Sequence, residues 1–184
     1  MLGYDAPRWH AVLNDFPVAL LLAAVVFDLA AAGLKRESLR WAGIWTLWAG
    51  VLGGWAAVVA GKLAEASLDH GEAIHELMEQ HERQALVTMG IFTVILIWKL
   101  YRRFALPRRE EWVTRVLGIF GVVGLCYVAA AGGKLVFEHA AGIPTKAIET
   151  ELQNRAAGHE HGAPADTAEG ATHVDPPGTP PHKH

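Results

Sequence analysis

The chain lacks most of what soluble enzymes and nucleic-acid binders are built on. Its single cysteine, Cys126, excludes an internal disulfide and any CxxC redox or zinc pair. Set inside an apolar run, Cys126 reads as a small packed side chain. Positive charge is not in excess either. A net charge of −3 over 184 residues leaves no general basic face for phosphate neutralisation and argues against nucleic acid as a partner. No Ser-His-Asp set, phosphate loop or nucleophilic cysteine setting is present, so an enzyme is the least supported class. The HExxH zinc motif is absent as well, because His75-Glu76 is followed by His81 and not by a histidine at position 79. Beyond Gln153 large apolar residues vanish, Val174 excepted, although hydrophobic residues make up 52% of the whole chain. The first 152 residues therefore hold nearly all the hydrophobicity, and the chain reads as an integral membrane protein with a soluble tail.

Four segments are candidates to cross a bilayer. Phe16 to Leu34 is apolar apart from Asp28, while Trp41 to Gly61 and Val116 to Gly133 are uncharged. Each is long enough to span a hydrocarbon core of roughly 30 Å as a helix. Ala85 to Trp98 is shorter, and on length alone would suit a buried or re-entrant helix. Charge settles the matter. Lys35, Arg36 and Arg40 lie between the first two segments, and Lys99, Arg102, Arg103, Arg108, Arg109 and Arg115 between the last two, nine of the 16 Lys and Arg residues together. Both connections therefore belong in the cytoplasm, which requires the short segment to cross. The expected spans are about 11–34, 41–64, 82–101 and 113–137, in a multi-pass membrane protein with both termini on the face opposite the cytoplasm. Asp5, Arg8 and Asp28 argue against a cleaved signal peptide ending near Ala30-Ala31-Ala32, so the first span is read as permanent.

The 62–84 connection is rich in Ala, Leu, Glu and Met, which favour helix. The spacing predicts a helical hairpin on the outer face: the second span continues to about His70, Gly71 serves as its C-terminal glycine, and the third helix starts near Glu72. From Glu72 to Tyr101 such a helix is roughly 45 Å long, so its first turns stand above the membrane. Residues 153–184, rich in Pro and His, are expected to be disordered. The predicted fold is thus an all-α integral membrane protein, a four-transmembrane-helix bundle with a hairpin extension and a disordered tail.

Candidate chemistry rests on ten histidines. Five lie in the tail (His159, His161, His173, His182 and His184), where they would capture copper, zinc or nickel ions; the spans lack the polar lining a permease needs. His10, His81 and His139 lie on three helices at one predicted depth on the outer face. Imidazoles so placed supply axial ligands to a haem b, or three ligands to a copper, zinc or iron ion, or a hydrogen-bonded structural cluster. Asp15 is a candidate ligand or hydrogen-bond acceptor beside them. Glu72, His75 and Glu79 form one stripe at helical spacing, with His70 near the hairpin tip. Glu-x-x-His is the spacing by which a helix offers two ligands to a metal in di-iron bundles; a solvated acidic face is the plainer reading of the same stripe. Six acids between Glu65 and Glu82 also make the hairpin a candidate docking or assembly platform.

Elsewhere the polar residues read as architecture. Asp28 is expected to pair with Lys99 or Arg40, Lys62 with Glu65, and Lys134 with Glu138. Trp41, Trp45 and Trp48 share a stripe expected to face lipid. Gly50, Gly54, Gly118, Gly121 and Gly124 are expected to bring helices 2 and 4 together.

Two motifs at the ends of this region carry a resemblance. The run His10-Ala-Val-Leu-Asn-Asp15-Phe16-Pro17-Val-Ala-Leu, with Asp28 later in the helix, and Gly132-Gly133-Lys-Leu135-Val136-Phe137-Glu-His139 resemble the bacterial predicted membrane family called domain of unknown function 2231. Its usual patterns are H-P-x-x-x-H-F-P-I-A-L and G-G-x-L-V-Y-x-H-G. The resemblance covers roughly residues 8 to 143; here Asp15 replaces the second histidine and the final H-G reads His139-Ala140. It implies a four-helix bundle with His10 and His139 as its motif histidines. Some members look to be fused to Rieske or c-type cytochrome domains, which leans the expectation toward electron transfer, with a periplasmic redox protein or larger membrane complex as partner. An oligomer is permitted by the glycine faces and not required by them.

Overall fold

A computed structural model describes residues 5–68 and 71–158. Four long helices make up one unit: α1 (Ala6–Leu34), α2 (Glu37–Ser67), α3 (Glu72–Tyr101) and α4 (Arg108–His139). Each is long and apolar enough to cross a membrane, the short third segment included, and the apolar side chains on their outer surfaces meet the lipid bilayer. Among them Phe16, Trp45, Phe120 and Phe137 are 61–90% exposed. A fifth helix, α5 (Thr145–Ala156), belongs to a separate unit that begins at Pro144; the sequence reading placed no element there, and the helix runs past the expected 152/153 boundary. The readings of His70 and of the five tail histidines fall outside the described residues.

Local chemistry fixes where the helices begin and end. The Asp5 carboxylate accepts the Arg8 backbone N–H at 3.2 Å, capping α1, whose first turn holds Pro7 where no N–H is needed. At its far end Lys35 turns the chain through the left-handed region, leaving a two-residue link to α2. Gly71 does not play the part expected of it: it is the N-cap of α3, extended at φ −79, and α2 stops earlier, at Ser67. Helix α4 closes with paired bonds from Ala140 N–H to Val136 O and Ala141 N–H to Leu135 O, each 3.0 Å. That pattern needs a left-handed residue, here Ala140 at φ 52.

Helix α2 packs against α1 and α3, and α4 against α3 and α1, so α2 and α4 sit diagonally. Two side chains from the other diagonal pair, Leu21 of α1 and Phe92 of α3, are fully buried at the centre. Leu47 and Val51 of α2, Met89, Ile95 and Leu96 of α3 and Leu125 of α4 complete the core. The glycine stripes therefore do not join α2 to α4. Gly43 and Gly50 admit the α1 backbone and Leu21, Gly54 admits Met89, Gly121 and Gly124 admit Phe92 and Thr88, and Gly118 admits Val25. Pro17 is buried in the middle of α1, where it removes one backbone donor, and its ring rests over Gly53 and Gly54.

Side-chain placement corrects several expectations. Cys126 is exposed, not packed. Trp41 and Trp45 are exposed as expected, but Trp48 packs against the core. Lys62 pairs with Glu82 across the hairpin instead of with Glu65. Asp28 pairs with Lys99 at 2.9 Å and with Arg115 at 3.5 Å, whereas Arg40 holds Glu37. Lys134 lies 3.9 Å from Glu138, as expected.

Ala140 carries a Cβ in a conformation that favours glycine, at a strain of about 1 kcal/mol. Ala140→Gly is expected to raise the thermal midpoint of the detergent-solubilised protein by a few degrees, read by circular dichroism; an unchanged or lowered midpoint would show that the left-handed turn is unstrained.

Candidate functional site

The end of the bundle where α1 begins and α4 ends holds the histidines. His10 stands in the second turn of α1 and reaches across to α2, its Nδ1 2.9 Å from the Ala57 carbonyl oxygen. A carbonyl only accepts, so Nδ1 carries the proton and, in the neutral ring, Nε2 keeps its lone pair. That contact depends on Gly61, one turn beyond Ala57. A Cβ at Gly61 would lie 3.0 Å from the His10 Cε1 and 3.1 Å from Nδ1, covering the carbonyl that the imidazole uses.

His81 repeats the arrangement from the opposite corner. It lies on α3, and Gly132 of α4 makes room for it: a Cβ there would sit 3.1 Å from the His81 Cε1. The His81 Nδ1 is buried, and the ring hydrogen-bonds the Val128 backbone of α4, one turn before Gly132. The two rings face each other with centroids 6.4 Å apart and planes at 86°. Two imidazoles that share one tetrahedral ion through metal–nitrogen bonds of about 2.0 Å have ring centres about 5 Å apart, so the pair would close by about 1 Å to share one. Fixing the far nitrogen by a backbone carbonyl, as Ala57 does for His10, is the usual way a ligating imidazole is oriented.

The remaining candidates are not gathered here. His139 is the half-buried last residue of α4, and no ring contact joins it to the pair among the described residues. Asp15 is exposed, and five residues of helix turn it about 140° from His10. On the hairpin Glu72, His75 and Glu79 are exposed on α3; His75 Nδ1 lies 3.8 Å from Glu65 of α2. With the Lys62–Glu82 pair, this contact braces the two arms of the acidic hairpin. Among the described residues no three His, Cys, Asp or Glu side chains converge as a ready metal site, so the His10–His81 pair offers two protein ligands.

Sequence reasoning picked out both histidines by depth but missed what seats them. Gly61 and Gly132 are the residues it overlooked. The available signal was that each lies near the same end of its helix as the histidine it faces, a register that only the helix pairing makes visible.

Gly132→Ala is expected to cost about 1–3 kcal/mol, because the new methyl overlaps an imidazole that cannot retreat. In a His81→Ala background the cost should disappear, so a double-mutant cycle on thermal midpoints gives a coupling close to the whole penalty; additive effects would separate Gly132 from His81.

Comparison with known proteins agrees with the architecture. The model of the family described as predicted membrane protein, domain of unknown function 2231, matches residues 8–145. No curated protein and no solved structure matches the chain.

Proposed function

We propose that this chain, which belongs to the family of predicted membrane proteins called domain of unknown function 2231, is a metal-binding membrane protein whose His10 and His81 hold a metal centre. The observation that carries the reading is a pair of imidazoles from two helices, with ring centres 6.4 Å apart, one of them oriented by the Ala57 carbonyl. Nitrogen donors of this kind suit copper, zinc and iron ions. Nine Lys and Arg residues in the two connections at the other end of the bundle support an orientation with the histidine pair on the outer, periplasmic face of a bacterial inner membrane. From there a copper or iron centre would exchange electrons with a periplasmic redox protein or within a larger membrane complex, whereas zinc would not.

Haem b is the second reading, because two histidines from separate helices are a common way to hold its iron. What favours a bare ion is the close fit of both rings against Gly61 and Gly132, which leaves a macrocycle to be admitted only by parting the helices. His139, at the same end of the bundle, is the candidate third ligand for an ion. In either case the chain's own part is the same. Ala57 holds the His10 proton on Nδ1, the two glycines keep both rings at their stations, and the apolar helices around them limit water.

The test is an optical spectrum of the detergent-purified full chain, oxidised and dithionite-reduced, with metal analysis on the same sample. The expected result is about one copper, zinc or iron ion per chain, lost in His10→Ala and in His81→Ala. A Soret band that shifts on reduction and weakens in the same variants would replace the ion by haem b. A sample with neither overturns the reading, leaves the pair structural and moves attention to the acidic hairpin as a docking platform.

A further inference from the structure

The opposite end of the bundle is concave. A cavity of about 690 Å³ opens between the ends of α1 and α3 and the starts of α2 and α4. Seven Lys and Arg side chains line it against three carboxylates. The carboxylates are already matched: Asp28 by Lys99 and Arg115, Glu111 by Arg115, Glu37 by Arg40. Lys35, Arg36, Arg108 and Arg109 remain, all on the cavity wall and none in an ion pair with a described residue. Four unmatched cations around one concavity repel one another, and that repulsion falls when an anion enters.

The backbone adds to the same field. Helices α2 and α4 both start at this cavity, and neither has a side-chain cap on its first-turn N–H groups. Two positive helix ends thus converge where the cations do. Placing basic residues on the cytoplasmic side satisfies topology; topology alone does not require that they line one cavity together with two uncapped helix starts. The rest of the wall is apolar, with Ala31, Ala32, Ile44, Phe104, Leu106 and Trp112. A charged floor beside an apolar wall matches a ligand with a phosphate head and a hydrocarbon body.

We propose that this cavity binds a phosphate group, that of an anionic phospholipid headgroup or of free phosphate, through Lys35, Arg36, Arg108 and Arg109. This site is independent of the histidine pair and stands whether or not a metal is bound there.

The experiment has two arms on the full-length protein. In the first, native mass spectrometry follows lipid retained after incubation with phosphatidylglycerol or cardiolipin against phosphatidylcholine. In the second, inorganic phosphate is titrated into the detergent-solubilised protein by calorimetry. Retention of anionic over zwitterionic lipid is expected, reduced about five-fold for each charge removed in Arg36→Gln/Arg109→Gln, and unchanged in Arg83→Gln on the hairpin. Saturable phosphate binding that the double variant loses, without lipid preference, assigns the site to free phosphate. These four side chains make no ion pair with a described residue, so their neutralisation leaves the described ion pairs intact; should the first variant fail to fold, Lys35→Gln/Arg108→Gln asks the same question. Equal retention of both lipid classes with no phosphate heat, or binding unaltered in the folded variant, overturns the proposal.

Discussion

Lipid tails are as apolar as leucine, so within a bilayer nothing squeezes helices together as water would. The bundle depends instead on how closely its backbones can approach, and that is set by positions with no side chain. At Gly43 a Cβ would meet the Ala24 oxygen at 3.2 Å and the Asp28 nitrogen at 3.3 Å; α1 and α2 lie backbone against backbone there. Leu21 and Phe92 fill the centre because Gly50 and Gly121 give way to them. Dispersion between such close surfaces takes the place of the hydrophobic effect as the source of association.

The same device serves the polar ends. Where a side chain is missing at Gly61 or Gly132, an imidazole enters the space instead of an aliphatic group, and a helix carbonyl normally covered becomes a second acceptor. The two ends are chemically unlike. One gathers imidazoles between helices; the other gathers unmatched cations, with Asp28 held between Lys99 and Arg115 beneath them. The apolar middle, with Leu21, Phe92 and their neighbours, isolates one end from the other.

How much of this could be read from the residues depended on range. The four long apolar helices followed from hydropathy, and the start of α3 at Glu72 from composition, whereas the polar α5 left no such signal. Pairings did not. Gly50, Gly54, Gly118, Gly121 and Gly124 signal close approach without saying to what, and the assignment to α2 against α4 failed because those helices are diagonal. Lys62 met Glu82 and not Glu65 for the same reason: a neighbour on the same helix is visible in sequence, whereas one across the hairpin is not. Of His10, His81 and His139, depth placed all three at one end of the bundle, but only rotation about the helix axes could pair His10 with His81. The Ala140 turn was legible only as a departure from a glycine, and its left-handed φ explains why glycine suits the position.

Pro17 bears on how the two ends of α1 relate. Without its N–H the helix lacks one rung between the turn that carries His10 and the part that carries Asp28. The first three turns are joined to the rest through a softer segment, supported from outside by the flat faces of Gly53 and Gly54. Helix α1 is therefore mechanically two pieces. The piece that carries His10 can tilt while the other, anchored by the Asp28 ion pairs, keeps its seat.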